Sequence, residues 1–400
     1  MVGGSGVISF DEALAIVVAQ ARPLAAETVA IEEAAGRVLA APCIAQVDAP
    51  RADISAMDGY AITDAGLALS ASFRVIGTAY PGAPFAGLLV PGDAVRIFTG
   101  APIPDGVDRV VIQEEVSREG DHATLLNASP TRTHIRRRGS DFCAGDVLLP
   151  EGRLLDPRAL VVAAGADLAS LGVWRRPRVS VISTGDELAA PGSSRENALS
   201  IPESASFGAA ALAQSWGGRI VGRRRRRDDI AEMTAGAREA MGEADLVIVT
   251  GGASVGDKDY AKRVFADIGA ELLFAKVAMM PGKPVWFARR GAQFVLGLPG
   301  NPGSAMVTAR LLLAPLVAGL AGRDPLVAAR WRTAQLASAL TATSDRETFV
   351  RARDDRDGVS IVANQDSGAQ LALADADLLI RRTPHAPALN AGDEIEVLDF

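Results

Sequence analysis

The sequence predicts a multidomain protein that combines an α/β domain with β domains. Its 400 residues are too many for one hydrophobic core, so about two to four domains are expected. Residues 178–320 alternate short apolar runs with helical patterns, which is typical of a doubly wound parallel sheet covered by helices. The stretches 42–150 and 328–400 carry short β-branched runs separated by turn residues, which indicates all-β domains.

Helical patterns flank the first of these β stretches. Residues 9–41 are predicted to be helical, with Ser9 as the cap, and residues 152–172 return to a helical pattern. The stretch between them is therefore an insertion into a helical part. Its predicted strands include Phe73–Ile76, Ala94–Phe98 and Arg109–Gln113.

The α/β region has a regular order of predicted elements. Its predicted strands are Arg178–Ser183, Arg219–Gly222, Asp245–Val249, Val285–Ala288 and Phe294–Gly297. Its predicted helices are Ala205–Trp216, Asp229–Met241, Tyr260–Ile268 and Gly303–Leu320. Because ligands of such sheets bind beyond the carboxyl ends of the strands, we expect the functional site there.

Composition argues against several classes of partner. A formal net charge of −7 makes a broad nucleic-acid footprint unlikely, and the run Arg223–Arg227 is predicted to link a strand end to a helix start and to project into solvent. The two cysteines offer no disulfide framework, which suits the cytoplasm. We expect no membrane span, because Arg310 interrupts the longest apolar stretch, and the first residues do not resemble a signal peptide.

All four lysines fall between Lys258 and Lys283, in a window that contains two glycine-rich turns. These turns are Thr250–Asp257 and Pro281–Pro284, and a third, Leu298–Ser304, follows soon after. Glycines let backbone N–H groups crowd an anion, and a lysine adds a positive charge. The sequence therefore predicts a site for a phosphorylated or oxyanionic ligand in this region.

Acidic residues accompany the predicted strand ends. Asp186-Glu187 and Asp228-Asp229 can bind Mg²⁺ or orient a nucleophile, and helix capping explains either pair equally simply. Asp257 and Asp259 flank Lys258, a mixture that favours a phosphate or metal–phosphate site. In the inserted domain, Asp141 follows Arg136–Arg138, which is a plausible phosphate-and-metal arrangement.

Nine segments, in order, resemble the molybdopterin molybdenumtransferase family, which includes MoeA and the gephyrin E domain. The resemblance covers about residues 9–400. The segments are SAMDGYAI (55–62), RIFTGAPIPDGVDRVVIQE (96–114), IRRRGSD (135–141), VISTGDEL (181–188), RDD (227–229), TGGASVGDKDY (250–260), PGKP (281–284), GLPGNPGSA (297–305) and RETFVR (346–351).

The resemblance implies four domains and a reaction. Residues 1–46 and 150–176 would form an elongated helical linker domain, 47–149 an inserted β domain, 177–326 an α/β domain resembling molybdopterin-adenylyltransferases, and 327–400 a C-terminal β domain. Family members are Mg²⁺-dependent homodimers that insert molybdate into adenylylated molybdopterin and release AMP. Molybdoenzymes or their chaperones are further expected partners.

The resemblance also implies roles for individual residues. Catalytic acids would be Asp58, supplied by the other subunit, with Asp141 and Glu187. Mg²⁺ would bind Asp228 and Asp259. Molybdate would be held by Lys283, Ser304 and either Arg346 or Arg351. The substrate-binding set is completed by Thr99 and Gly100 on the far wall, Gly251, Gly252 and Ser254 at the pterin-side phosphate, and Pro299 and Pro302.

Two departures from the family pattern leave alternatives open. Met280 stands where the family usually has a lysine, and Glu203-Ser204-Ala205 replaces an Asp-Ser/Thr-Asn sequence. A non-catalytic paralogue that binds molybdopterin or the cofactor is therefore the second hypothesis. A nucleotide-dependent phosphotransferase is a third, although the chain lacks a GxxxxGK[ST] loop.

Overall fold

Three six-stranded sheets organise the chain. The computed structural model describes residues 6–65, 67–68, 70–126, 132–251 and 260–400. Within these ranges, one sheet belongs to the inserted domain, one to the α/β domain and one to the C-terminal domain.

The helical part is shorter than predicted. Its elements are β1 (Val7–Ile8), α1 (Phe10–Gln20), β2 (Ala26–Ala30), a 3₁₀ turn (Ile31–Glu33) and β3 (Cys43–Ile44). Ser9 caps α1 through a capping box with Glu12, as the sequence predicts. The predicted helix over 9–41 is nevertheless wrong beyond residue 20, because Ala26–Ala30 pairs with a strand about 140 residues later in the chain.

The inserted domain is all β, as predicted. Its strands are β4 (Ile54–Ser55), β5 (Gly59–Ile62), β6 (Ser72–Ala79), β7 (Asp93–Ile97), β8 (Arg109–Ile112), β9 (Val116–Glu119), β10 (His122–Leu125), β11 (Ile135–Arg136) and β12 (Val147–Leu149), with a 3₁₀ turn at Gln113–Glu115. Six of them form one sheet in the order β8-β5-β7-β6-β10-β9. The three strands predicted from the sequence coincide with β6, β7 and β8.

The chain then returns to the helical part through α2 (Pro157–Gly165) and β13 (Ser170–Trp174). Asp156 caps α2 by accepting a 2.8 Å hydrogen bond from the N–H of Ala159. The predicted helix over 152–172 is thus correct only in its middle. Its last residues instead pair with β2 in an antiparallel ribbon. This ribbon joins the two segments that flank the insertion.

The α/β domain follows the predicted alternation of strands and helices. Its strands are β14 (Arg178–Thr184), β15 (Leu188–Ala189), β16 (Ile201–Pro202), β17 (Arg219–Arg226), β18 (Leu246–Thr250), β19 (Glu271–Phe274), β20 (Lys276–Val277), β21 (Met279–Met280), β22 (Trp286–Arg290) and β23 (Gln293–Leu298). Its helices are α3 (Ala205–Ser215), α4 (Ile230–Glu243), α5 (Tyr260–Asp267), α6 (Pro302–Thr308) and α7 (Ala314–Leu320), with a 3₁₀ turn at Ser194–Glu196 and a π turn at Ala309–Leu313.

The central sheet has the order β17-β14-β18-β23-β22-β19. The first four strands are parallel, whereas β22 and β19 run antiparallel to their neighbours. The prediction of a wholly parallel sheet is therefore wrong at one edge. The reason is local: only two residues separate β22 from β23, and so short a connection can join only antiparallel strands.

The arginine run is a strand and not a solvent-exposed linker. β17 continues through Arg226, in register with β14. Arg224 forms an ion pair with Glu243 on α4, whereas Arg223 stacks over the ring of Phe207 on α3. The predicted projection into solvent is wrong for Arg224 and Arg226, which are partly buried and pair with Glu243 and Glu239 on α4. It is correct for Arg223, Arg225 and Arg227, which are exposed. Positive charge along an edge strand also discourages pairing with another chain.

One long helix forms the centre of the core. It runs from Pro302 to Leu320 and is apolar and long enough to cross a membrane, but 94% of it is buried inside the protein. Arg310 donates from within this helix to the carbonyls of Ala328 and Asp399, both at 2.6 Å. Burial lowers the pKa of Arg310 to about 10. The arginine therefore attaches the C-terminal domain to the core helix.

The C-terminal domain is a small β domain, as predicted. After a 3₁₀ turn (Pro325–Ala329) come β24 (Arg332–Gln335), β25 (Glu347–Asp355), β26 (Gly358–Ile361), α8 (Leu371–Ala374), β27 (Leu378–Arg382) and β28 (Glu394–Asp399). Its sheet has the order β21-β25-β27-β28-β24, and β26 pairs with β25. Because β21 comes from the α/β domain, the two domains share a sheet.

Candidate functional site

A cavity of about 550 Å³ opens at the carboxyl ends of the parallel strands. The turns that follow β14, β18 and β23 form its walls, and a loop of the C-terminal domain adds Gly368 and Gln370. This is the edge at which a parallel sheet is expected to bind ligands. Six residues predicted from the sequence line the cavity: Glu187, Asp228, Gly251, Pro299, Pro302 and Ser304.

Backbone packing between the turns depends on glycine. Gly251 has a φ of +89°, and a Cβ at this position would lie 2.3 Å from the carbonyl oxygen of Thr184. A Cβ at Gly300 would lie 3.4 Å from the Cα of Gly251. The three turns therefore pack backbone against backbone, which a larger residue at 251 would prevent.

Among the described residues, three carboxylates line the cavity. Glu187 is exposed, Asp228 is partly exposed and Glu203 is buried. Asp229, beside Asp228, caps α4 by accepting a hydrogen bond from the N–H of Glu232. The capping interpretation is thus confirmed for Asp229, and Mg²⁺ binding by Asp228 stays a prediction.

Glu203 is a residue whose function the sequence reasoning missed. Its carboxylate accepts hydrogen bonds from the N–H of Ser206 at 2.8 Å and from the hydroxyl of Ser206 at 2.6 Å. It therefore holds the first turn of α3 in place. An acid three residues before a serine at a predicted helix start is a signal that could have revealed this role.

The predicted molybdate-side residues surround the cavity but do not all line it. Lys283 is exposed at a turn that requires Gly282, where φ is +113° and a Cβ would lie 2.4 Å from the hydroxyl of Thr308. Ser304 is 6% exposed and lines the cavity. Arg346 reaches toward Met280, with 3.8 Å between Nη2 and Sδ.

Arg351 supports a wall of the cavity from behind. It is 2% exposed, and its guanidinium donates to the carbonyls of Asn364, Asp366 and Ala369 at 2.9–3.4 Å. Because these donors are used by a loop, the structure corrects the prediction that Arg351 is an alternative to Arg346 for cradling molybdate. The sequence reasoning missed this loop altogether.

The same loop is fastened to the start of the core helix. The N–H of Gly303 donates to the carbonyl of Ser367 at 2.8 Å, and the side chain of Asn301 donates to the hydroxyl of Ser367 at 2.8 Å. Gly368 and Gln370 reach the cavity in this way. Their partners lie far away in the sequence, so no local pattern could have indicated them.

A second group of predicted residues lies together in the inserted domain. Asp58 accepts hydrogen bonds from the backbone N–H of Thr99 at 2.7 Å and from its hydroxyl at 2.8 Å. Both hydrogen bonds lower the pKa of Asp58 below its ordinary value, and the bond from the backbone N–H has the larger effect. Gly100 donates to the carbonyl of Ser55. None of the predicted residues Asp58, Thr99 and Gly100 lines the cavity among the described residues.

Asp141 does not pair with the arginines that precede it. Arg137 forms an ion pair with Asp53, and Arg138 with Asp48. Two of the three arginines are thus paired with other acids, and a phosphate-and-metal arrangement at Asp141 stays a prediction.

Three predicted residues, Gly252, Ser254 and Asp259, lie outside the described residues, as do Asp257 and Lys258. Within the described part of the chain, no group of three or more His, Cys, Asp or Glu side chains is placed to hold a metal ion.

Comparisons with known proteins agree with this architecture. Residues 8–166 match the family model "MoeA N-terminal region (domain I and II)", residues 180–319 match "Probable molybdopterin binding domain", and residues 333–400 match "MoeA C-terminal region (domain IV)". The solved structure of a molybdopterin biosynthesis MoeA protein from a Pyrococcus species superposes with a TM-score of 0.82, at 26% identity over 98% of this chain and 99% of the other.

Two named relatives have a higher sequence identity to this chain than that solved structure. A molybdopterin molybdenumtransferase from Staphylococcus aureus is 31% identical over 98% of this chain and 95% of its own length. Another, from Haemophilus influenzae, is 34% identical over 75% of this chain and 74% of its own length. Fold and cavity define a multidomain protein built around a molybdopterin-binding α/β domain. The chain belongs to the molybdopterin molybdenumtransferase family, MoeA.

Proposed function

We propose that this chain inserts molybdate into adenylylated molybdopterin and releases AMP, a step in molybdenum cofactor biosynthesis. The observation that carries the proposal is the cavity, where three turns predicted from sequence motifs meet at the carboxyl edge of the sheet. The direct test is to incubate the protein with adenylylated molybdopterin, Mg²⁺ and molybdate and to measure AMP. Release should depend on all three additions and fall in Glu187→Gln. No release above the protein-free rate would reject the proposal.

We propose Mg²⁺ as the cofactor on the chemistry of the cavity wall. Its described lining includes Glu187, Glu203 and Asp228 but no lysine or arginine. An anionic phosphate beside carboxylates needs a cation, and Mg²⁺ is commonly held by one or two carboxylates together with phosphate oxygens. Asp228 fits this donor set because it lines the cavity. Bound there, Mg²⁺ would neutralise phosphate charge, while Asp228 would orient the adenylyl end of the substrate.

Molybdate is the second substrate, and its proposed donors are Lys283, Ser304 and Arg346. Lys283 extends from a turn whose next residue, Pro284, lines the cavity, and Ser304 lines it directly. A dianion is favoured by charge-assisted hydrogen bonds from such groups. Arg346 brings a guanidinium to the neighbouring Met280. Of the three, Ser304 lines the cavity, and Lys283 and Arg346 would have to reach it from neighbouring turns.

We also propose a homodimer in which each site takes residues from the partner's inserted domain. Support comes from the Asp58–Thr99 pair, which has catalytic chemistry but lies away from the cavity of its own chain. Two apolar side chains close in sequence to lining residues are also exposed, Leu199 by 86% and Leu371 by 80%. Such side chains suit a surface that a partner covers. Sedimentation at micromolar concentration should show a dimer, and a monomer would contradict a shared site.

A second candidate is a paralogue that binds molybdopterin without transferring molybdenum. The observation that favours it is Met280, a thioether where the family pattern has a lysine, beside the guanidinium of Arg346. Binding of adenylylated molybdopterin without AMP release would support this candidate. For either function we propose the cytoplasm, on the cysteine content alone.

A further inference from the structure

The hydroxyl of Thr184 is buried and lacks a partner. Thr184 is the last residue of β14 and is 3% exposed. Its Oγ1 has no hydrogen-bond partner in the part of the chain that the structure describes. A buried hydroxyl without a partner destabilises a fold by about 1–3 kcal/mol, so a ligand that completes it is a natural explanation.

This hydroxyl belongs to a residue of the cavity wall and packs beside Gly251. Thr184 lines the cavity, and a Cβ at residue 251 would lie 3.0 Å from Oγ1. Glycine at 251 therefore lets the backbone of this turn pack directly against Thr184. Neither Glu187 nor Asp228, which line the same cavity, accepts a hydrogen bond from Thr184.

Thr63 provides an internal comparison. It is also a buried threonine, 6% exposed, and its Oγ1 is likewise without a partner among the described residues. It follows β5 in the inserted domain and does not line the cavity. The two threonines therefore share burial and the missing hydrogen bond. They differ in that only Thr184 lines the cavity.

We propose that the Thr184 hydroxyl donates a hydrogen bond to a phosphate oxygen of the ligand in this cavity. The inference rests on the proposed function, because it adds a binding residue to the same site. A neutral donor at the carboxyl end of a parallel strand, next to a glycine turn, suits a phosphate oxygen. Two phosphates share this chemistry: the terminal phosphate of molybdopterin and the adenylyl phosphate.

The test measures binding without turnover. Wild type, Thr184→Val and Thr184→Ser are titrated with molybdopterin, with AMP and with inorganic phosphate. Valine keeps the shape and removes the hydroxyl, so Kd should rise about tenfold for at least one probe. Serine keeps the hydroxyl and should stay within about twofold of wild type. A loss confined to molybdopterin assigns the pterin's phosphate, and a loss confined to AMP assigns the adenylyl phosphate.

The unfolding temperature provides a second measurement: the substitution that weakens binding should not destabilise the ligand-free protein. Removing an unsatisfied hydroxyl should leave the ligand-free unfolding temperature of Thr184→Val equal to or above that of wild type. Thr63→Val should behave in the same way but bind all three probes with wild-type Kd. A purely structural role for Thr184 would instead lower the unfolding temperature of its valine variant.

The inference is overturned if Thr184→Val binds every probe as wild type does, or if wild type binds none of them. Failure of the wider proposal has a different signature. If wild type releases no AMP from adenylylated molybdopterin while the valine variant still loses affinity, the transferase is rejected and the role of Thr184 stands.

Discussion

The two ends of the central sheet use similar residues in opposite ways. At the amino end, Asp245 precedes β18 and accepts hydrogen bonds from the side chains of Arg175 and Arg178 and from the N–H of Arg178, the shortest at 2.8 Å. At the carboxyl end, Glu187 and Asp228 line an open cavity, and the buried hydroxyl of Thr184 has no partner in the described residues. Charges at one end are paired within the fold, and those at the other line the cavity.

This difference predicts two kinds of mutational effect. A substitution at the amino end should lower stability and leave ligand affinity unchanged. A substitution at the carboxyl end should lower affinity or turnover and leave stability nearly unchanged. Each experiment below can break that division or sharpen it.

The largest expected effect concerns Asp58, which we propose completes the carboxyl end from the partner subunit. Asp58→Asn should lower AMP release by about 10²-fold or more, because an amide cannot act as the carboxylate does. The fold should be unchanged, because an amide oxygen at this position can still accept the hydrogen bonds from Thr99. Rates of AMP release at fixed substrate concentrations measure this. Wild-type rates in the purified variant would remove Asp58 from the mechanism.

Mixed dimers test where Asp58 acts. If each site combines Asp58 of one subunit with Glu187 of the other, dimers that pair Asp58→Asn with Glu187→Gln contain one intact site. Random mixing of the two inactive variants should then restore about a quarter of wild-type activity. No recovery after verified subunit exchange would place both acids in one chain's site.

Arg351 and Arg346 test the division within the C-terminal domain. Arg351→Ala should lower the free energy of unfolding by about 2–3 kcal/mol, because three loop carbonyls lose their donor. Arg346→Ala, more exposed, should change it by less than about 0.5 kcal/mol and raise the molybdate requirement instead. Chemical unfolding of both variants gives the comparison. Equal stabilities would show that the loop does not depend on Arg351.

The sequence predicts those parts of the molecule whose structure depends on residues close together in the chain. The strand-to-turn motifs after β14 and β23 contain their own signals, so Glu187 and Ser304 are predicted at the cavity. The ends of α1 and α2 are not predicted correctly, because β2 and β13 pair although about 140 residues separate them. Arg351 is misassigned because the loop carbonyls that it contacts lie 13–18 residues further along the chain, outside any local pattern. Non-local pairing overrides local propensity.

Acid should destabilise the amino end of the sheet. Burial alone would raise the pKa of Asp245, but hydrogen bonds from Arg175 and Arg178 outweigh it and lower the pKa to about 2. A carboxyl whose pKa is lower in the folded than in the unfolded protein stabilises the fold at pH values above its unfolded pKa. That contribution disappears as pH falls from about 4 to 2. Asp245→Asn should therefore cost about 1–2 kcal/mol at neutral pH and flatten this acid transition.

The control for Asp245→Asn is Glu151→Gln, an exposed acid in a turn. It should leave the pH dependence of unfolding as in wild type. AMP release at neutral pH should be the same in both variants, because Asp245 lies at the end of the sheet away from the cavity. A loss of activity in the folded Asp245→Asn variant would break the division between the two ends.

The smallest expected effect, and the one most specific to this chain, is that of Met280→Lys. Met280 is 38% exposed and contacts Arg346, whereas its neighbour Met279 is fully buried. A lysine at 280 can therefore extend toward the molybdate side without disturbing the core. It should lower the molybdate concentration for half-maximal AMP release by about tenfold, which is 1.4 kcal/mol. Met280→Gln, similar in length but uncharged, should not. An unchanged molybdate requirement in both variants would place residue 280 outside the path of molybdate. If the protein binds adenylylated molybdopterin but releases no AMP with either methionine or lysine at position 280, it is the binding paralogue.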